Sequence, residues 1–255
     1  MIKEKVKIVV PNSLAEITLG QYQEYLKSID KLDPEKDART INKKLIEHFC
    51  GIEEKMVDKV AYKDVIKVVN VISSAFDKDY ELVQLFKLLD VQMGFIPKLD
   101  DMSLGEYVDT ENFLGDWQNM HRAMAVLYRP VNFRKKERYT IADYSPSDEI
   151  SLLMKEMPLN VVMGCMVFFL SFRDGIITSY PDLYSQDSEE GHNIGLEGSF
   201  GKKWGWYQSI YALARGDVRK FDEVTKLPIH QCLTFLSFEK QKNDLERQMI
   251  KKKFK

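Results

Sequence analysis

Apolar residues recur at steps of three and four along most of this chain, and that spacing constrains the fold more than any other feature. Ile41, Leu45, Ile46 and Phe49 share one helical face, and Gly51 supplies a stop. Val65, Val68, Val69, Ile72 and Phe76 repeat the pattern. "ENFLGDWQNMHRAMAVLYR" steps through Phe113, Trp117, Met120, Met124 and Leu127, which predicts one helix closed by Pro130. "ITLGQYQEYLKSI" reads as a short helix. "SPSDEISLLMKEM" predicts another, with Ser145 as cap and Pro146 at the first helical position. A core helix is expected over 158–172, and two helical stretches follow, "KWGWYQSIYALARG" and "LPIHQCLTFLSFEKQKNDLERQMIKKKFK".

Two-residue alternation is confined to short pieces. "KEKVKIVVP" predicts a half-buried N-terminal strand through Val6, Ile8 and Val10, and "LFKLLDVQMGFIP" and "VNFRKKERYTIADY" read as hairpins. The expected fold is therefore mainly α (α+β): a helical body with an N-terminal strand and one or two small β-hairpins. One compact domain over 1–255 is expected, with a candidate subdivision near 90–98. Residues 181–203, polar and rich in Ser and Gly, read as a flexible loop.

Thirty-seven basic against 39 acidic residues give a net charge of −2, interleaved almost everywhere. That removes the electrostatic case for non-specific nucleic-acid binding. The basic ending, Lys251, Lys252, Lys253 and Lys255, reads as a solvated helix end. Cys50, Cys165 and Cys232 are odd in number and set among apolar residues, so they read as reduced core thiols of a cytoplasmic protein. "MIKEKVKIVV" lacks the apolar stretch of a signal peptide. "VVMGCMVFFL" (161–170) falls short of the ~20 residues a bilayer span needs and reads as buried helix. No membrane association is expected.

"LDDMSLGEYVD" (99–109) packs Asp100, Asp101, Glu106 and Asp109 into a short stretch and suggests an acidic site. A capping box explains it better. Ser103 and Glu106 occupy the cap and the third helical position, where hydroxyl and carboxylate each satisfy a backbone N–H of the other residue. Met102 and Tyr107 take the hydrophobic-staple positions, and Asp100 and Asp101 lie where a helix dipole favours negative charge. "LAEITLGQY" (14–22) repeats every role through Thr18, Gln21, Ile17 and Tyr22, 85 residues earlier. An old duplication would produce this echo, but the shared local job of starting a helix is the simpler cause.

Other apparent sites dissolve on inspection. His48 with Cys50, and His230 with Cys232, offer metal-ligand types. On a helix, though, residues two apart point about 200° away from each other, so neither pair converges. "GLEGSFGKK" (195–203) has five residues between its first and last glycines and a lysine where a phosphate loop needs a hydroxyl. No catalytic residue, cofactor or metal is expected. The side chains suited to holding a partner are Trp204, Trp206, Tyr207 and Tyr211, with Met163 and Met166. Exposed, they are interface anchors; buried, they are ordinary core, and core is the default.

At "GFIPKLDDMSLGEYVD", "AMAVLYRPV" and "ALARGDVRKFDEVTKLPIHQCLTFLSFEKQKNDLERQ" the chain resembles tailed-bacteriophage morphogenesis proteins, most closely tail assembly chaperones. The resemblance runs from about residue 5 to the end. It implies a non-enzymatic protein of the bacterial host cytoplasm that binds the tape-measure protein and recruits tail-tube subunits. The alternative is a neck, ring or connector component of the virion, bound to neighbouring virion proteins. A homo-oligomer is left open. Such chaperones are often made in two lengths by ribosomal slippage, and Lys251–Lys253 mark where repetitive codons would allow it.

Overall fold

The computed structural model describes residues 8–184 and 204–253. They form helices and a small antiparallel sheet, the mainly α architecture that the periodicity predicts. The chain falls into two compact units where one was expected. Met1–Phe95 with Phe113–Phe168 make the first, and Ile96–Asn112 with Phe169–Lys255 make the second. The first crossing lies inside the expected 90–98 subdivision. Because the chain passes between the units three times, no stretch of linker composition marks a boundary.

In the first unit, helices Leu19–Ile29, Ala38–Cys50 and Tyr62–Phe76 pack their apolar faces together. Gly51 ends the second of these in left-handed backbone. Tyr22 is the hub of an aromatic cluster. Its ring meets Trp117 edge-on at 4.9 Å and Phe76 at 5.7 Å, while Tyr25 lies 5.1 Å from Phe49. The two hairpins join into one sheet of β1 (Leu85–Leu88), β2 (Val91–Phe95), β3 (Tyr128–Lys135) and β4 (Arg138–Ile141), in that order. Pro130 is the last β3 residue paired with β2, so its missing N–H leaves no gap within that ladder, and its carbonyl accepts from Ala142 at 2.9 Å.

Several expected elements differ. The long helix over 111–129 is broken. Leu104–Leu114 ends before Gly115, and Asp116 caps a new turn by accepting from the Gln118 N–H at 2.9 Å. Met120–Leu127 follows, and Tyr128 then enters β3, so Pro130 sits in a strand and closes no helix. The cap of Asp148–Leu153 is Ser147, whose hydroxyl accepts from Ile150, and not Ser145. Val6 of the expected N-terminal strand lies outside the described residues, and residues 8–11 belong to no strand. Of the expected loop, Pro181–Tyr184 is helical and 185–203 lies outside the described residues.

The apolar run 161–170 belongs to a longer helix, Leu159–Ser179, long and apolar enough by length and composition to cross a membrane. Its residues through Phe168 belong to the first unit and those from Phe169 to the second. Leu159, Val162, Cys165, Phe169 and Ile176 form its buried stripe, while Val167, Phe168 and Ile177 are exposed. The second unit also contains Leu104–Leu114, Trp206–Leu213 and the terminal helix Ile229–Lys253.

Candidate functional site

Both capping boxes are formed. The Thr18 hydroxyl accepts from Gln21 N–H at 3.2 Å, and the Gln21 side-chain oxygen accepts from Thr18 N–H at 2.8 Å. The Ser103 hydroxyl accepts from Glu106 N–H at 3.2 Å, and the Glu106 carboxylate accepts from Ser103 N–H at 2.7 Å. Ile17, Met102 and Tyr107 are buried. The acidic cluster at 99–109 therefore starts a helix.

The resemblance between the two boxes extends well beyond the helix starts. Thr18 pairs with Pro158 in an isolated antiparallel bridge, and Ser103 pairs with Pro228 in another. Leu19 donates to the Met157 carbonyl at 2.9 Å and Leu159 to Ile17 at 2.8 Å. In the second unit, Leu104 donates to Leu227 and Ile229 to Met102, both at 2.8 Å. Each proline immediately precedes a long helix. Each box glycine lies against the residue three before its proline. A Cβ on Gly20 would stand 3.2 Å from the Lys155 carbonyl oxygen, and one on Gly105 would stand 3.1 Å from that of Thr225. The box tyrosine repeats too: Tyr107 meets Trp206 edge-on at 5.5 Å, as Tyr22 meets Trp117. A local capping role does not explain matching partners from distant chain. Each unit is built around the same supersecondary motif, and duplication is the better account.

The partner-binding candidates divide between the units. Trp204, Tyr207 and Tyr211 are exposed, against the expectation of core, and Trp206 is half-buried on Tyr107. Trp204 lies 5.4 Å from Tyr207, which in turn meets Phe221 edge-on at 5.4 Å. These aromatics belong to the second unit. Met163 and Met166, both half-buried, belong to the first. The terminal helix was expected, but its exposed apolar surface was not singled out as a partner-binding candidate. Residues 241–253 are exposed on every side, and Phe238, Leu245, Met249 and Ile250 present apolar surface along it. The steps of seven and four between Phe238, Leu245 and Met249 carried that signal in the sequence.

The reactive groups are placed for structure. Burial pushes the Cys50 and Cys232 thiols up to about 11 and raises Cys165 further, so all three stay protonated and poorly nucleophilic. Among the described residues, no three His, Cys, Asp or Glu side chains gather to hold a metal. His121 is buried against Gln23, whose amide nitrogen lies 3.2 Å from Nδ1 and also donates to the Trp117 carbonyl at 2.7 Å. His230 bridges the Tyr180 hydroxyl at 3.1 Å and the Asp100 carboxylate at 3.3 Å. The same hydroxyl meets the Thr234 hydroxyl at 3.2 Å. This cluster holds the end of Leu159–Ser179 against the terminal helix, within the second unit. No protein-family profile, curated protein or solved structure matches this chain.

Proposed function

We propose that this protein is a non-enzymatic tail assembly chaperone of a tailed bacteriophage, which binds the tape-measure protein in the host cytoplasm and recruits tail-tube subunits. The phage reading rests on the sequence resemblance. The observation that carries the binding role is the terminal helix, whose last residues, 241–253, are all exposed and include Leu245, Met249 and Ile250. A free helix of about 12–15 residues is marginal in water, and an exposed apolar seam along it favours a partner surface. The exposed Trp204, Tyr207 and Tyr211 supply further anchors of the type that dominates protein interfaces.

Co-expression tests this directly. The tape-measure protein of the same phage should stay soluble with this chain and precipitate without it, and purified virions should lack the chain. Stoichiometric presence in virions, with no effect on tape-measure solubility, would instead assign a neck, ring or connector component.

A further inference from the structure

Several exposed cations of this protein stand beside carboxylates: Lys36 with Asp33 at 3.7 Å, Lys67 with Asp64 at 2.9 Å and Arg219 with Asp217 at 2.9 Å. The hairpin of β3 and β4 is different. Arg134, Lys135, Lys136 and Arg138 are all exposed, and within 132–141 only Glu137 carries the opposite charge. None of the four cations forms an ion pair among the described residues. Arg134 instead donates from Nε to the Lys136 carbonyl at 3.2 Å, within the hairpin. β2 pairs with β3 from Met93↔Pro130 to Phe95↔Tyr128, so residues 133–138 extend past those pairs as a two-stranded ribbon.

Lys136 leads the turn with φ +56°, left-handed backbone that glycine, asparagine or aspartate adopts more readily. A long cationic side chain is thus kept at the tip against conformational preference. Phe133, opposite Thr140, is 60% exposed. β4 is the last strand of the sheet, and no backbone hydrogen bond reaches its outer edge among the described residues.

We infer that the β3–β4 hairpin is the docking site for an acidic, extended segment of a partner protein, which adds as a fifth strand along β4. Charge complementarity selects an acidic occupant, because the cations of the hairpin have no carboxylate of their own chain to neutralise them. The open edge selects a polypeptide, since only a backbone of alternating donors and acceptors pairs with it. Nucleic acid or an anionic membrane would engage the cations and leave the carbonyls of that edge without donors. Basic side chains on an edge strand also keep like edges apart. That guard turns away a second copy of this chain, which brings the same cations, and admits a strand of opposite charge. Phe133, exposed beside the edge, has no part in such a guard and offers the incoming segment apolar contact. The inference goes beyond the chaperone reading and holds whichever assembly uses the protein.

The probe is a short fluorescein-labelled peptide of alternating glutamate and valine, titrated into the full chain at low salt and followed by anisotropy. Saturable binding that weakens as salt rises is expected. Lys135→Glu with Lys136→Glu should weaken it by about tenfold or more, whereas Lys135→Arg with Lys136→Arg should leave it unchanged. Lys252→Glu with Lys253→Glu, on the terminal helix, should also leave it unchanged. Proline in place of the central valines should weaken the peptide by about fivefold or more, because it removes N–H donors and keeps the charge. Benzoylphenylalanine at position 140, on β4, should crosslink to the peptide, which keeps the test informative if charge reversal disturbs the hairpin. The proposal is overturned by any of five results: no saturable binding; equal losses on reversing the hairpin and the terminal lysines; indifference to proline; crosslinks from position 140 only to a second copy; or hairpin-dependent binding of a DNA duplex or a phosphatidylserine vesicle that is tighter than that of the peptide.

Discussion

Gly105 donates its N–H to the Thr225 carbonyl at 2.8 Å, and a Cβ at position 105 would press on that oxygen at 3.1 Å. Alanine ordinarily stabilises a helix over glycine by about 0.5–1 kcal/mol. Here the obstacle is backbone already held by a hydrogen bond, so crowding should win. Gly105→Ala is expected to destabilise by about 1–2 kcal/mol, and Gly20→Ala, facing Lys155, similarly. Gly115→Ala meets nothing within 4 Å and should be neutral or stabilising. Urea unfolding of the three variants decides the sign.

The two boxes use different third-position residues, and they should not be interchangeable. Ser103→Ala and Thr18→Ala should each cost ~1 kcal/mol. Glu106→Gln keeps an acceptor for Ser103 N–H. Gln21→Glu should cost more than Glu106→Gln, because the Gln21 amide also donates to the His48 carbonyl at 3.1 Å and a carboxylate there would repel it. Equal losses in thermal melts would refute this asymmetry.

His121 predicts a pH dependence with a definite sign. Burial holds its imidazole below the ordinary value of 6.5, and the Gln23 amide nitrogen beside Nδ1 requires an acceptor there. The neutral ring is therefore the folded form. Its contribution is fully present above about pH 6.5 and is lost as pH falls toward the lower folded value, because the unfolded chain takes up the proton first. Stability measured from pH 7.5 to 5 should decline, and His121→Gln should flatten that slope. An unchanged slope would remove His121 as its source.

Deleting residues 242–253 should change global stability by no more than about 0.5 kcal/mol, since every one of them is exposed. Far-ultraviolet circular dichroism should nevertheless lose helical signal. A large drop in unfolding midpoint would show that the segment packs in solution.

The helices were legible wherever one periodic face did one job, as with Leu45, Ile46 and Phe49, or where a cap had its partner three residues on, as with Ser103 and Glu106. They were misjudged where two signals overlapped. Phe113, Trp117 and Met120 keep helical spacing across a break that only Gly115 and Asp116 announce. Ser145 and Ser147 are both plausible caps, and only the hydrogen bond to Ile150 chooses between them. The tertiary half of the repeated motif was hidden for another reason. Around Pro158 and Pro228 the two copies share burial, with Met154 and Val224 or Val162 and Cys232 both inside, but few identities.

The bridges to Pro158 and Pro228 also set a timetable for synthesis. Thr18 leaves the ribosome long before Pro158, and Ser103 is followed by its partner only 125 residues later. At about 5–20 residues per second, the second box waits roughly 6–25 s for the strand that completes it. Throughout that interval the apolar staple of Met102 and Tyr107 has no seat. Such non-local closure slows folding and lengthens exposure to misassociation. A nascent chain of this design benefits from company before it is finished, and a partner that engages the early helices during translation would reach it at its stickiest.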